Sequence, residues 1–188
     1  MPDPKPWFPI ETERLRLREF RPEDEAAVNA YASRPDVSRF MAWGPNTEDE
    51  TRVFLDRHFE AQARWPRTDV GLAMALKTDD RVVGSIRLWV VDEDNRTAEM
   101  GYSLHGAYWR QGLTSEAARA LIKVGFETLG LHRIVATCDV RNRGSWGVMR
   151  KLGMRREGRF VQNRMIKGAW RDTYTYALLA EEWQTSQG

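Results

Sequence analysis

Hydrophobic and polar positions divide the chain into short segments of changing period. Arg14-Leu15-Arg16-Leu17-Arg18 alternates strictly, the two-residue repeat of a half-buried strand. Pro22, followed by Glu23, Asp24 and Glu25, predicts a helix start. Proline is pre-set for a first helical turn, and the helix dipole favours anions there. Ala27, Val28 and Tyr31 are its apolar residues. Thr47-Glu48-Asp49-Glu50 is a capping box and opens a second helix. Its expected apolar stripe is Val53, Phe54, Phe59 and Ala63, and Pro66 is its expected end. A meander of strands over 70–77, 82–91 and 97–104 follows, with turns at Asp79-Asp80 and Asp92-Glu93-Asp94-Asn95.

Apolar residues three and four apart then return: Ala117, Ala118, Leu121, Ile122, Val124, Phe126 and Leu129. They predict a long helix that stops at Gly130. Residues 134–138 read as a compact buried strand, and 143–152 as a short helix closed by Gly153. The stretch 157–179 reads as two strands broken at Lys167-Gly168, with Tyr174 and Tyr176 on one side of the last. The order is β-α-α-β-β-β-α-β-α-β-β, a mixed α/β fold.

With 188 residues, 41% hydrophobic and 30% charged, the chain fits one soluble globular domain over 1–188. Residues 1–8, rich in proline, read as a flexible tail. No apolar run approaches the roughly 20 residues of a membrane span. The first residues lack the apolar core of a signal peptide, so a cytoplasmic location is expected. A formal net charge of +2, from 29 basic and 27 acidic residues, gives no argument for nucleic acid or an anionic membrane. Cys138 is the one cysteine, which excludes an intrachain disulfide and a multi-cysteine metal site. His58, His105 and His132 stand far apart, so no metal is expected, and each reads as an ordinary surface or partly buried histidine.

Three local features carry chemistry. Gln111-Gly112-Leu113-Thr114-Ser115 sits where a helix start exposes N–H groups, and Gly112 lets a ligand approach the backbone. Thr114 and Ser115 add hydroxyl donors. The loop lacks the lysine and the glycine set of a nucleotide P-loop, and an ordinary capped helix accounts for the same residues. Asn142 and Ser145 flank the next helix start, where Asn142 is either a plain cap or a ligand contact. Glu99 is an acid in an apolar strand. It is either a general base, its pKa raised by partial burial, or a side chain on the solvent face.

In order, these features resemble the GNAT acetyltransferase superfamily, and most of all its RimJ/RimL-like branch, which acetylates protein N-termini and other amines. The resemblance runs from Ile10-Glu11-Thr12-Glu13-Arg14-Leu15 to Tyr174-Thr175-Tyr176-Ala177-Leu178. Its specific pieces are Ala98-Glu99-Met100-Gly101-Tyr102, Trp109-Arg110-Gln111-Gly112-Leu113-Thr114-Ser115-Glu116-Ala117, Asn142-Arg143-Gly144-Ser145 and Leu152-Gly153-Met154-Arg155-Arg156-Glu157-Gly158.

The resemblance implies a central mixed, mostly antiparallel, splayed sheet with helices on both faces, opening in a V between two parallel strands. It implies acetyl-CoA as co-substrate, with its diphosphate on the amides of Gln111, Gly112, Leu113, Thr114 and Ser115. The pantetheine arm would run along Met100, Gly101 and Tyr102 and touch Asn142. An amine would attack directly in a ternary complex, with Glu99 through a water, or water alone, as the base. A strand N–H near Met100 to Tyr102 would hold the oxyanion, and Ser145 would hydrogen-bond or protonate the departing thiolate. No covalent acyl-enzyme is implied.

Thr114 stands where the family usually has Gly or Ala, and Trp109 where it often has Gln or Arg. Arg164 occupies the late-strand position where some members carry a carboxylate. The acceptor region brings Phe40, Met41, Trp43, Trp65, Trp89, Phe160, Trp170 and Tyr174. Of these, Trp43, Trp89 and Tyr174 are the expected acceptor contacts; the aromatics suit a hydrophobic or cationic acceptor or plain core, whereas Arg39, Arg164 and Arg171 suit an anionic acceptor, and the sequence does not choose. The same aromatics suit a homodimer contact. The acceptor is then a protein N-terminus or a small amine. The alternative on the same fold is a non-catalytic acyl-CoA sensor or scaffold.

Overall fold

A computed structural model describes residues 8–64 and 66–185. Trp65 and almost all of the expected tail lie outside them. Strands β1 (Ile10–Glu11) and β2 (Leu15–Arg18) form a small hairpin. A 3-10 turn over Pro22–Asp24 leads into α1 (Glu25–Ala32), followed by α2 (Pro35–Ser38) and α3 (Glu48–Ala63). The meander is β3 (Asp69–Leu76), β4 (Val82–Asp92) and β5 (Thr97–Leu104). Then come α4 (Leu113–Glu127), β6 (Arg133–Asp139) and α5 (Arg143–Lys151). The hairpin β7 (Arg155–Ile166) and β8 (Ala169–Leu179) precedes α6 (Ala180–Thr185).

One eight-stranded sheet takes the order β1-β2-β3-β4-β5-β6-β8-β7. All neighbours are antiparallel except β5 and β6. The expected order lacked three elements. β1 has two residues and α2 a single turn, too few for a period to show. α6 is held by its buried Trp183, whose ring lies 6.2 Å from that of Phe126 on α4. The first helix starts as a 3-10 turn, with α proper only from Glu25.

Of the stripe expected for α3, Phe54 and Phe59 pack against the core, whereas Val53 and Ala63 do not and are corrected. The buried side chains of the helix are Thr51, Leu55 and His58, at i, i+4 and i+7. Val53 is 49% exposed, Ala63 is exposed, and the helix ends at Ala63, ahead of Pro66. The ring of His58 fits because residue 71 is glycine. A Cβ there would come within 2.1 Å of His58 Cε1. Phe20 and Phe54 flank the ring, with centroids 4.8 and 4.4 Å away.

Successive strand residues point to opposite faces, so β3 is buried on both. Leu72 and Met74 join the larger core under α4, with Leu88, Met100, Leu121, Ile122 and Ile134. Ala73 and Ala75 meet α1 and α3 through Val28, Tyr31 and Leu55. Each fully buried Leu or Ile contributes about 1.5–3 kcal/mol. Among the described residues no helix is long and apolar enough to cross a membrane.

The sheet splits in the middle. β5 and β6 share three rungs, Thr97–Arg133, Ala98–Ile134 and Glu99–Val135. Beyond them β5 stays with β4 to Leu104, and β6 stays with β8 to the Asp139–Thr173 rung. From Met100 onward, the β6-facing edge of β5 has no strand partner.

Candidate active site

The helix start at the mouth of this split is left open. Gly112 is the N-cap of α4 at φ +82°, a left-handed conformation that suits glycine, and no side chain caps the helix. No acceptor among the described residues takes the amides of Leu113, Thr114 or Ser115. The cap is the glycine itself, which leaves these amides free of any side chain. Three outward N–H groups at the positive end of a 15-residue helix make an anion seat. Thr114 and Ser115 line the adjoining cleft. The Gln111 side chain is spent on the Ala107 carbonyl at 3.1 Å. Trp109 donates from Nε1 to the Leu104 carbonyl at 2.8 Å, tying the loop to the end of β5.

Across the cleft, Asn142 caps α5. Its Oδ1 accepts from the Ser145 amide at 3.1 Å, so the capping reading holds for that oxygen. Asn142 also lines the cleft, whose volume is about 600 Å³ and whose other walls include Phe40, Met41, Tyr102, Gly112 and Ser145. The Tyr102 hydroxyl donates to the Ser145 carbonyl at 2.9 Å and lies 3.2 Å from Ser145 Oγ. Burial pushes the Tyr102 phenol above its ordinary pKa, so it keeps its proton. Burial likewise pushes the Cys138 thiol up to about 11. At neutral pH this cysteine is an uncharged thiol, not a nucleophile.

Alternation along β5 sends Glu99 the other way. Met100 and Tyr102 face α4 and α5. Glu99 faces the side covered by α1 and α3, where it accepts a hydrogen bond from Thr137 Oγ1 at 2.9 Å. Trp89 stands opposite Glu99 in register. Arg87, bonded through Nε to Asp69 at 2.7 Å, lies over the Trp89 ring at 4.8 Å. Glu99 and Ser145 thus approach the split from opposite faces of the sheet.

Of the expected acceptor contacts, Trp89 shares the face of Glu99. Tyr174 pairs with Cys138 and lies with Tyr176 against the core under α4, on the Ser145 side. Trp43 is 38% exposed and lies outside the cleft walls. Phe160 and Trp170 are exposed on the β7–β8 hairpin, where Arg164 stands directly opposite Arg171. Lys167 at the hairpin tip donates to the Ser38 carbonyl at 2.7 Å, which brings the tip to α2 beside Arg39. The sequence reading missed the Tyr102 phenol, having taken that residue for its backbone. Its shared parity with the buried Met100 is the signal that would have found it.

A split parallel pair with a bare strand edge lies next to a helix start that no side chain caps. Residues 14–155 match the acetyltransferase (GNAT) domain. The uncharacterized N-acetyltransferase YnaD of Bacillus subtilis is 37% identical over 176 residues, covering 93% of this chain and 98% of that protein. The putative ribosomal N-acetyltransferase YdaF of the same organism is 32% identical over 146 residues, covering 77% and 78%. An acetyltransferase (GNAT family) from Bacillus anthracis superposes with a TM-score of 0.82 at 36% identity, covering 92% of this chain and 99% of that one. The chain belongs to the GNAT family of N-acetyltransferases, enzymes that transfer acetyl from acetyl-CoA to amines.

Proposed function

We propose that this protein acetylates a primary amine in a ternary complex, with Glu99 as the base and Ser145 as the acid. The acceptor class we assign is a protein N-terminal α-amine or a small amine, as in the RimJ/RimL-like branch, within the cytoplasm. One observation carries the assignment of roles. A protonated hydroxyl pair, Tyr102 and Ser145, meets the split from the face of the open α4 amides, while a carboxylate meets it from the other.

Acetyl-CoA, when bound, supplies an activated acyl group on sulfur. The amides of Leu113, Thr114 and Ser115 suit its diphosphate, and the bare edge of Met100 to Tyr102, with Asn142, suits its amide-bearing arm. A protonated amine has no lone pair, so Glu99, directly or through a water, takes its proton. Ser145 Oγ gives a proton to the departing sulfur. Tyr102, whose hydroxyl is 3.2 Å away, holds Ser145 in place.

The test is thiol release from acetyl-CoA with a panel of peptide N-termini and polyamines. The wild type is expected to release thiol with at least one amine. Ser145→Ala should lower kcat about a hundredfold, more than it changes the KM for acetyl-CoA. Glu99→Gln should flatten the acidic limb of the pH–rate profile. Tight coenzyme binding without thiol release on any amine would replace this reading with a sensor.

A further inference from the structure

The loop read as the diphosphate seat is held by Arg14, 97 positions before Gln111 in sequence. Arg14 Nη1 donates to the Gln111 carbonyl at 2.8 Å. The same guanidinium forks onto Glu116, Nε to Oε2 at 2.8 Å and Nη2 to Oε2 at 2.7 Å. The other oxygen, Oε1, accepts from the Arg14 amide at 2.8 Å and from Thr12 Oγ1 at 2.6 Å. Lys77 Nζ donates to the Thr12 carbonyl at 2.9 Å, closing the knot.

Glu116 stands in the first turn of α4. Helical side chains lean toward the N-terminus, so its carboxylate lies back over the loop that meets the anion. Burial alone would raise its pKa. Hydrogen bonds from Thr12 and Arg14 outweigh that and hold it below the ordinary carboxylate range, so it is ionised at neutral pH. A negative charge within about one helical turn, roughly 5 Å, of an incoming diphosphate opposes binding unless it is neutralised. The Gln111 carbonyl is a second negative end at the same loop.

We propose that Arg14 is a positioning residue for the coenzyme, cancelling the charge of Glu116 and keeping the Gln111 carbonyl turned to the β1–β2 hairpin so that the loop presents only N–H groups. This rests on the loop being the diphosphate seat. Arg14 touches neither reacting atom, so its effect belongs in coenzyme affinity.

Calorimetric binding of coenzyme A and of pantetheine, which lacks the diphosphate, tests both levels. The wild type should bind coenzyme A far more tightly than pantetheine. Equal binding of the two would overturn the seat and the latch together. Arg14→Ala should weaken coenzyme A about tenfold, because one uncompensated charge now faces the diphosphate. Glu116→Gln alone should change it by no more than about threefold. The double variant Arg14→Ala/Glu116→Gln should recover most of the loss, an outcome that a merely structural ion pair would not give.

Unchanged affinity in Arg14→Ala, or a double variant no better than the single, would overturn the latch while leaving the seat in place. Should Arg14→Ala fail to fold, Arg14→Lys with and without Glu116→Gln makes the same comparison. Lysine keeps the charge but cannot fork across the carboxylate and the carbonyl. It should therefore lose a few-fold with Glu116 present and less without it. Wild-type affinity in Arg14→Lys would overturn the need for the fork.

Discussion

His58 shows how far a neighbour can reset a side chain. Gly71 makes room for the imidazole between Phe20 and Phe54, and burial, helped by the nearby Arg87 charge, pushes its pKa down to about 4 from an ordinary 6.5. Above pH 6.5 the ring is neutral folded and unfolded alike, and its burial carries no protonation penalty. As the pH falls from 6.5 toward 4, the unfolded chain takes up a proton that the folded chain refuses, so stability declines. Between pH 6.5 and 5 this component amounts to about 2 kcal/mol. Urea midpoints at pH 7 and pH 5 should therefore drop further for the wild type than for His58→Gln. Parallel drops would remove His58 as the source. In the sequence, His58 was only an isolated histidine. Nothing local shows that a glycine thirteen residues on leaves a hole for it.

At the scale of elements, the first turn of α4 decides how a ligand is met. Gly112 caps the helix at φ +82°, and a Cβ there would meet Arg14 Nη2 at an unstrained 3.5 Å. The obstacle to substitution is thus conformational, about 1–2 kcal/mol for a side chain in the left-handed region and more for a β-branched one. Gly112→Val should weaken coenzyme A about tenfold, and Gly112→Asn should weaken it less, because asparagine visits this region more readily. Val and Asn variants both binding like the wild type would show that the loop conformation is irrelevant to the coenzyme. The helix itself was legible, because its apolar spacing is long and regular. The covered face of α3 was legible at Phe54 and Phe59 but not at Thr51 and His58, which hydrophobicity alone passes over. Only the packing against Gly71 and β3 shows that those two are covered.

For the whole molecule the split between β5 and β6 is the organising feature. Three rungs join the two halves of the sheet, and the walls beyond them come from α2, β5, α4 and α5. A ligand spanning α4 and the bare edge of β5 would brace those halves. Coenzyme A at a hundred times its Kd should stabilise the fold by about 2.7 kcal/mol. Amide hydrogen exchange should slow at Leu113 to Ser115 and at Met100 to Tyr102, with β1 and the β7–β8 hairpin tip unaffected. Slowing confined to the hairpin would move the coenzyme to another surface.

The sequence by itself determined the run of strands and helices, the loop at Gln111 to Ser115, and the residue types at Glu99, Asn142 and Ser145. Each is written in a local period, a capping residue or a short motif, and local interactions need only near neighbours. Tertiary structure alone decided that Glu99 and Ser145 face the split from opposite sides, that Tyr174 lies on the Ser145 side, and that Tyr102 reaches Ser145 with its phenol. It also decided that Arg14 and Glu116 meet. Those outcomes depend on strand register and on contacts between distant segments, which are fixed only when the sheet closes over its two cores.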